Sequence, residues 1–322
     1  MGTMTELIRL DRTTTDTPSP AVSEVLGQRS PENLRQIAVR VAAEAAVHVR
    51  DARARAVDGA DCVGRVGRVA VQETKSSDVD PVTAIDRSSE RLIRRRLREL
   101  TTTVGTPGAG GVPDAILGEE DGGALDHRGV TWVVDPVDGT VNLVYGIPSS
   151  AVSIAACVHG APVAGAVADI AHDTVYSACS GSDLVLTVPG HERVAGRTTC
   201  SDADDLSSSL VGTGFSYRAT RRRSQAELLL ELLPDIRDIR RMGSAALDLC
   251  AVATGALDGY YEHGLGAWDH AAGSLIAARS GAVVYTPPLD RGDGDGLGIL
   301  AAAPGVVDAL ASRVLGVTFP SE

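Results

Sequence analysis

Aromatic residues and lysine are the scarcest features of this 322-residue chain. Aromatic residues make up 3% of it, and Lys75 is its one lysine. Acidic residues outnumber basic ones by 42 to 30, which gives a formal net charge of −12. Nonspecific binding to a phosphodiester backbone depends on clustered Lys and Arg. We therefore expect no direct contact with nucleic acid, although a protein partner is not excluded.

Cysteine and long apolar runs are also sparse. The five cysteines are scattered and form no C-x-x-C pair, which argues against a disulfide framework or a structural zinc site. No stretch reaches the roughly 18 apolar residues of a membrane span, and the N-terminus lacks the order of a secretion signal. We expect a protein of the reducing cytoplasm without membrane attachment.

The composition that is present fits a globular α/β protein, with 43% hydrophobic residues, 22% charged residues and 35 glycines. Residues 1–30 include the polar, Thr/Pro-rich stretch "DRTTTDTPSP" and predict a disordered tail. Residues 31–322 are interpreted as a single domain. Its N-terminal half covers about 31–200 and its C-terminal half about 201–322.

Local patterns predict the order of the elements. Ser30 and Pro31 fit the N-cap and first position of a long helix, and a second helix is expected over residues 86–100. Short apolar segments from Gly129 onward predict neighbouring antiparallel hairpins, and helices alternate with strands in the second half. The arginine runs are interpreted as solvated faces; they lie at residues 91–98, 221–223 and 240–241.

Four short stretches place acidic residues where regular structure is expected to end, which is where a rigid scaffold presents functional groups. They are "KSSDVDPVTAID" (75–86), "LGEE" (117–120), "DPVDGTVN" (135–142) and "WDHAAG" (268–273). One such acid is commonly a helix cap. Three sites together are not easily explained by capping.

The stretch "DPVDGTVN" offers cation ligands and anion donors in one turn. Asp135 is expected at the end of a strand, where Pro136 stops the ladder, and "DGT" fits the first turn of a helix. Asp135 and Asp138 can then converge, while the N–H groups of Gly139 and Thr140 face an anion. Oxygen ligands without His or Cys indicate Mg²⁺ rather than Zn²⁺ or copper. Taken alone, the motif also fits an Asp-capped turn.

Together the four stretches resemble the signature of the inositol monophosphatase family of Mg²⁺-dependent, lithium-sensitive phosphomonoesterases. The resemblance runs from about Glu32 to Leu315, and "DPVDGTVN" with "WDHAAG" is its most specific part. It implies a layered αβαβα fold of the sugar-phosphatase type, two or three Mg²⁺ per subunit, a phosphorylated polyol as substrate and usually a homodimer.

The resemblance also implies roles for individual residues. The first Mg²⁺ would be bound by Glu119, Asp135 and the carbonyl of Val137, and the second by Asp135, Asp138 and Asp269. Asp86 and the hydroxyl of Thr140 would orient and deprotonate the attacking water, in a catalytic group that includes Glu119. Lys75 would lie near this site. Substrate contacts would come from Asp138, Gly139, Thr140, Gly243, Ser244, Ala245, Glu262 and Asp269.

The chain departs from the family pattern after the "WDHAAG" helix. Many relatives have Glu-Ala-Gly-Gly where this chain has Arg279, Ser280, Gly281 and Ala282. That glutamate is not a metal ligand in the family, so the departure concerns packing.

The expected reaction is Mg²⁺-dependent hydrolysis of myo-inositol 1-phosphate by in-line attack of water, without a phosphoenzyme.

Two alternatives remain open at this point. The same chemistry fits fructose 1,6-bisphosphate, histidinol phosphate or a nucleotide 3′-phosphate as substrate. A protein partner of the transcription machinery is the non-enzymatic alternative.

Overall fold

Two β-sheets alternate with three layers of helices in the computed structural model, which describes residues 6–58, 73–74, 81–82, 84–103, 113–196 and 198–315. The helices are α1 (Pro20–Leu26), α2 (Pro31–Asp58), α3 (Ala84–Thr103), α4 (Thr140–Tyr145), α5 (Ala219–Leu232), α6 (Ala245–Ala253), α7 (Ala267–Arg279) and α8 (Val307–Val314). Among the described helices, none is both long and apolar enough to cross a membrane.

The strands fall into two large sheets and one short pair. They are β1 (Ile8–Leu10), β2 (Glu73–Thr74), β3 (Pro81–Val82), β4 (Ala115–Gly118), β5 (Val130–Asp138), β6 (Ala151–Val158), β7 (Ala161–Asp169), β8 (Thr174–Cys179), β9 (Val185–Val188), β10 (His191–Val194), β11 (Leu210–Thr213), β12 (Asp238–Arg240), β13 (Gly259–His263), β14 (Val283–Thr286) and β15 (Gly298–Ala302). The first sheet has the order β10-β9-β8-β7-β6-β5-β4, and the second β1-β14-β15-β13-β11-β12. The strands β2 and β3 pair with each other.

The expected antiparallel hairpins are confirmed from β5 to β10, since each strand pairs with the next. The strands β4 and β5 are parallel, so their carboxyl ends lie at the same edge of the sheet. In the second sheet, β11 is parallel to both β12 and β13. The mixed α/β class and the αβαβα layers are therefore confirmed.

Alternation along β5 shows why the layers form. Trp132 and Val134 are buried against α2 and α3, whereas Val133 is buried on the other face with the residues of α6 and α7. A strand that is apolar on both faces needs cover on both sides. The third core, between the second sheet and the outer helices, includes Leu228 of α5 and Leu310 of α8.

The N-terminal segment corrects one expectation. Residues 6–30 were predicted to be disordered, but β1 pairs with β14 and α1 buries Val22 and Leu26. The composition is polar because most of this segment lies on the surface, and its order depends on partners far along the chain. That residues 31–322 form a single domain stays a prediction.

Candidate metal and phosphate site

The site lies where β4 and β5 end side by side. Glu119 follows β4 directly, and its N–H donates to the carbonyl of Val134 on β5 at 3.2 Å. Asp135, the residue after Val134 in β5, is buried. The parallel pairing thus brings "GEE" and "DPVDG", which are separate in the sequence, to one edge of the sheet.

The sequence predicted that β5 would stop at Pro136, and this prediction is wrong. The strand continues to Asp138, and its register with β6 shifts between Asp135 and Asp138. Proline is tolerated in a strand where a bulge removes the need for its N–H. The N–H of Val137 donates to Oδ1 of Asp135 at 2.9 Å, which fixes that carboxylate across the bulge.

Three carboxylates meet beyond this bulge. Asp135, Asp138 and Asp269 each offer an oxygen atom, and these atoms all lie within 4.8 Å of one another. Asp269 reaches them from the first turn of α7, where its Oδ2 accepts from the N–H of Gly266 at 2.7 Å. The hydroxyl of Ser153 on β6 donates to the carbonyl of Trp268 at 3.2 Å and ties that turn to the sheet.

The third carboxylate, Asp138, is held by the start of α6. Its Oδ2 accepts from the hydroxyl of Ser244 and from the N–H of Ala246, both at 2.7 Å. Burial raises the pKa of Asp138 to about 6, although these two hydrogen bonds oppose the rise, while the charge of Glu119 adds to it. Burial followed by the charges of Asp138 and Glu119 also raises the pKa of Asp269 well above its usual value.

This clustering has a cost that a cation would offset. Within the part of the chain that the structure describes, neither Asp138 nor Asp269 forms an ion pair with Arg, Lys or His. Buried carboxylates that face one another are stable when a cation joins them. Hard oxygen ligands of this kind fit Mg²⁺.

Gly139 and Thr140 lie next to the carboxylates, as the sequence predicted. Gly139 caps α4 with φ +90°, a conformation that favours glycine. The hydroxyl of Thr140 donates to the carbonyl of Val137 at 3.0 Å, so the predicted pairing of this hydroxyl with Asp86 stays a prediction. Asp86 is buried in the first turn of α3, and Ser89 joins that helix to the carbonyl of Pro136 at 3.2 Å.

A cavity of about 330 Å³ opens beside the carboxylates. The sequence-predicted residues on its wall are Glu119, Asp135, Val137, Asp138, Gly139, Thr140, Gly243, Ala245, Glu262 and Asp269. Ser244 is fully buried behind that wall, where it binds Asp138. Lys75 lies outside the described residues.

Two further acidic residues, Glu262 on the cavity wall and the buried Asp248, interact electrostatically, since burial and then the charge of Glu262 raise the pKa of Asp248. The hydroxyl of Tyr260 donates to Oε2 of Glu262 at 2.6 Å, and burial raises the pKa of Glu262 to about 7. Asp248 in α6 is 1% exposed, and burial together with the charges of Glu262 and Asp138 raises its pKa to about 8. The sequence signal for Asp248 is its position as the one acid in "AALDLCAVA".

Two arginines on the wall were not predicted. Arg241 was interpreted as part of a solvated face, but it lines the cavity, and its charge lowers the pKa of Glu262 and Asp248. Arg218 lines the cavity too. A surface run of arginines gives no pattern that separates the residue facing a cleft from its neighbours. In the neighbouring run, Arg221 is buried rather than solvated.

Comparisons with known proteins agree with this geometry. A family model described as "Inositol monophosphatase family" matches residues 30–315. "Inositol-1-monophosphatase" of Mycobacterium bovis is 51% identical over 292 residues, which cover 87% of this chain and 92% of that protein. The solved structure of Mycobacterium tuberculosis SuhB is 47% identical, with a TM-score of 0.70, 88% of this chain covered and 96% of that one. "Nus factor SuhB" of Pasteurella multocida is 35% identical over 251 residues, which cover 76% and 86%.

Proposed function

Because this chain belongs to the inositol monophosphatase family and is a phosphomonoesterase, we propose that it hydrolyses myo-inositol 1-phosphate to inositol and phosphate with Mg²⁺. The observation that carries the proposal is the convergence of Asp135, Asp138 and Asp269 within 4.8 Å beside the cavity.

Two or three Mg²⁺ ions are proposed for this donor set. Glu119, Asp135 and the carbonyl of Val137 would hold one ion, and Asp135, Asp138 and Asp269 would hold another. The carbonyl of Val137 already accepts from Thr140, but a carbonyl oxygen has a second lone pair. Bound Mg²⁺ would offset the clustered negative charge, lower the pKa of water and stabilise the leaving oxygen.

The protein's own groups would position the reactants. The N–H groups of Gly139 and Thr140 would hold the phosphate oxygens, since the N-terminal N–H groups of a helix lack intrahelical partners. The Thr140 hydroxyl would exchange its bond to Val137 for one to Asp86, and this pair, with Glu119, would orient the attacking water. As the water oxygen forms its bond to phosphorus in line, Asp86 would take a proton from that water. The inositol oxygen would leave with the electrons of the broken P–O bond and take a proton from solvent. No phosphoenzyme forms in this scheme.

Glu262, Gly243 and Ala245 on the cavity wall support a small polyol as the leaving group. Glu262 presents a carboxylate that is already oriented by Tyr260, and Gly243 and Ala245 line the same cavity. Carboxylate and backbone oxygens accept hydrogen bonds from hydroxyl groups. A ring of hydroxyls therefore matches this wall better than an adenine base, which offers few donors.

Phosphate release tests the proposal. Inositol 1-phosphate, fructose 1,6-bisphosphate, histidinol phosphate and adenosine 3′,5′-bisphosphate are compared as kcat/KM, with and without Mg²⁺. We expect the highest value for inositol 1-phosphate and activity only with Mg²⁺. A higher value for another substrate would replace the substrate but keep the chemistry, and turnover independent of Mg²⁺ would refute the metal site.

The alternative of a partner of the transcription machinery has less support. The relative named as an enzyme is 51% identical, against 35% for the one named as a Nus factor.

Lithium inhibition, a cytoplasmic location and a homodimer also remain predictions. Tyr145 and Ile147, which are 50% and 49% exposed, offer an apolar patch that a second copy would cover. Sedimentation tests the dimer.

A further inference from the structure

The carboxylate of Glu90, in α3, is buried beneath the loop that carries Glu119. Glu90 is 0% exposed. Its Oε2 accepts from the N–H of Glu120 at 2.7 Å, and its Oε1 accepts from the N–H of Asp121 at 3.2 Å. The loop therefore directs two consecutive backbone donors at one buried side chain.

Arg94, one turn further along α3, holds that carboxylate in place. Its Nε donates to Oε1 of Glu90 at 2.7 Å, and its Nη2 donates to the carbonyl of Gly122 at 2.5 Å. The same carbonyl accepts from the N–H of Gly118 at 3.0 Å, which closes the loop on itself. A Cβ at Gly118 would lie 2.1 Å from Oε1 of Glu90, so the backbone approaches the carboxylate as closely as glycine allows.

These contacts fix the backbone on both sides of the Glu119 side chain. The N–H of Glu119 donates to Val134 on β5, and the next N–H, that of Glu120, donates to Glu90 on α3. Two adjacent peptide groups that point to different elements leave the residue between them little freedom to rotate. The Glu119 side chain is thereby aimed at the cavity.

Stability alone does not explain a charge at this position. A buried ion pair such as Glu90 with Arg94 contributes little net stability compared with apolar residues of the same size. A carboxylate here does supply two acceptors for the loop, which an apolar side chain cannot do. The arrangement is therefore suited to orienting the loop.

We infer that Glu90 is a positioning residue that aligns Glu119 for the metal ion, an inference that rests on the proposed Mg²⁺ site. Groups that hold metal ligands in place typically contribute 10- to 100-fold to metal affinity or activity. Loss of the Glu90 carboxylate should weaken Mg²⁺ binding, and saturating Mg²⁺ should restore turnover.

Glu90→Gln tests the inference, because the amide keeps the size but offers a donor where a backbone N–H needs an acceptor. We expect the Mg²⁺ concentration for half-maximal activity to rise by about 10-fold or more. We expect kcat at saturating Mg²⁺ within about threefold of wild type, and a smaller rise in melting temperature at millimolar Mg²⁺. Glu99→Gln, on the same helix but exposed, is the matched control and should behave as wild type.

An unchanged Mg²⁺ requirement in Glu90→Gln would overturn the inference, and so would a loss of kcat that saturating Mg²⁺ does not restore. Should that variant fail to fold, Arg94→Gln, which removes the support of the carboxylate, must show the same rise in Mg²⁺ requirement. A wild-type protein without any response to Mg²⁺ would overturn the proposed function as well. A normal wild-type response with an unaffected variant would overturn only the role of Glu90.

Discussion

Arg279 and Arg12 each donate to the other's backbone. The guanidinium of Arg279 donates to the carbonyl of Arg12 at 3.0 Å, and the guanidinium of Arg12 donates to the carbonyl of Arg279 at 2.6 Å. Arg279 is 0% exposed and also pairs with Asp16 at 3.2 Å. Arg279 therefore fastens the segment that the sequence predicted to be disordered.

We expect Arg279→Gln and Arg12→Gln each to lower the free energy of unfolding by about 1–3 kcal/mol, since each removes charge-assisted hydrogen bonds. Residues that share a hydrogen-bond network are not additive. The double variant should therefore lose less stability than the sum of the two single losses, by about 0.5 kcal/mol or more. Urea unfolding measures all three values. Arg9→Gln, at an exposed ion pair, should change stability by less than about 0.5 kcal/mol; additive losses would show that the two arginines act independently.

The fold was predictable where the pattern is local. The segment after Gly129 was expected to form hairpins because short apolar segments follow one another there, separated by turns of small residues, and the strands β5 to β10 are found in this segment. The convergence of Asp135 and Asp138 was predictable because an apolar run ends in these two carboxylates, three residues apart. Such signals need only neighbouring residues.

The N-terminal segment and the cavity wall were not predictable in the same way. The order of β1 depends on β14, more than 270 residues later, and on Arg279. Arg241 comes directly after β12 and lines the cavity together with Gly243. No periodicity in a short stretch carries that information, because it comes from how distant elements pack.

Asp135→Asn should abolish turnover. Asp135 is one of the three carboxylates that meet at the site, and it is proposed to hold both ions; its neutral analogue offers a weaker ligand. We expect kcat/KM to fall by at least about 1,000-fold, which corresponds to roughly 4 kcal/mol of transition-state stabilisation. The Mg²⁺-dependent rise in melting temperature should also be lost.

Asp204→Asn, an exposed acid away from the cavity, is the control for Asp135→Asn and should keep both properties. Retained turnover in Asp135→Asn would refute the assignment of this site. A folded, inactive Asp135→Asn that still gains stability from Mg²⁺ would place the metal elsewhere.

Asp248 should make the metal-free protein less stable as the pH rises. Burial raises the pKa of Asp248 from 3.8 to about 8, so between these values the folded protein holds a proton that the unfolded chain releases. Stability falls with pH wherever the folded state binds more protons. Asp138 and Glu262 add to the same trend at lower pH, since their pKa values are also raised.

We expect the melting temperature in EDTA to fall from pH 5 to pH 8, and Asp248→Asn to flatten this slope and raise stability at pH 8 by a few kcal/mol. Thermal unfolding at several pH values measures it. Asp290→Asn, an exposed carboxyl, should leave the slope unchanged. An unaltered slope in Asp248→Asn would mean that this carboxyl is ionised in the folded protein.

Alanine substitutions at Gly139 and Gly160 distinguish the effect of backbone strain from the loss of phosphate binding. Both have positive φ, +90° at Gly139 and +76° at Gly160. A Cβ at Gly139 would lie 2.8 Å from the carbonyl oxygen of Ser149, whereas one at Gly160 meets nothing within 4 Å. Alanine at either position adds strain of about 1–3 kcal/mol, but only at Gly139 must the backbone also move. That movement would displace the N–H groups proposed to hold the phosphate. Gly139→Ala should therefore lower kcat/KM by about 100-fold or more, in line with the loss of one preorganised donor.

Gly160→Ala is the control, and it should lower the melting temperature and leave kcat/KM within about twofold. Equal activity in the two variants, measured as phosphate release at a temperature where both are folded, would show that the turn at Gly139 does not bind the phosphate.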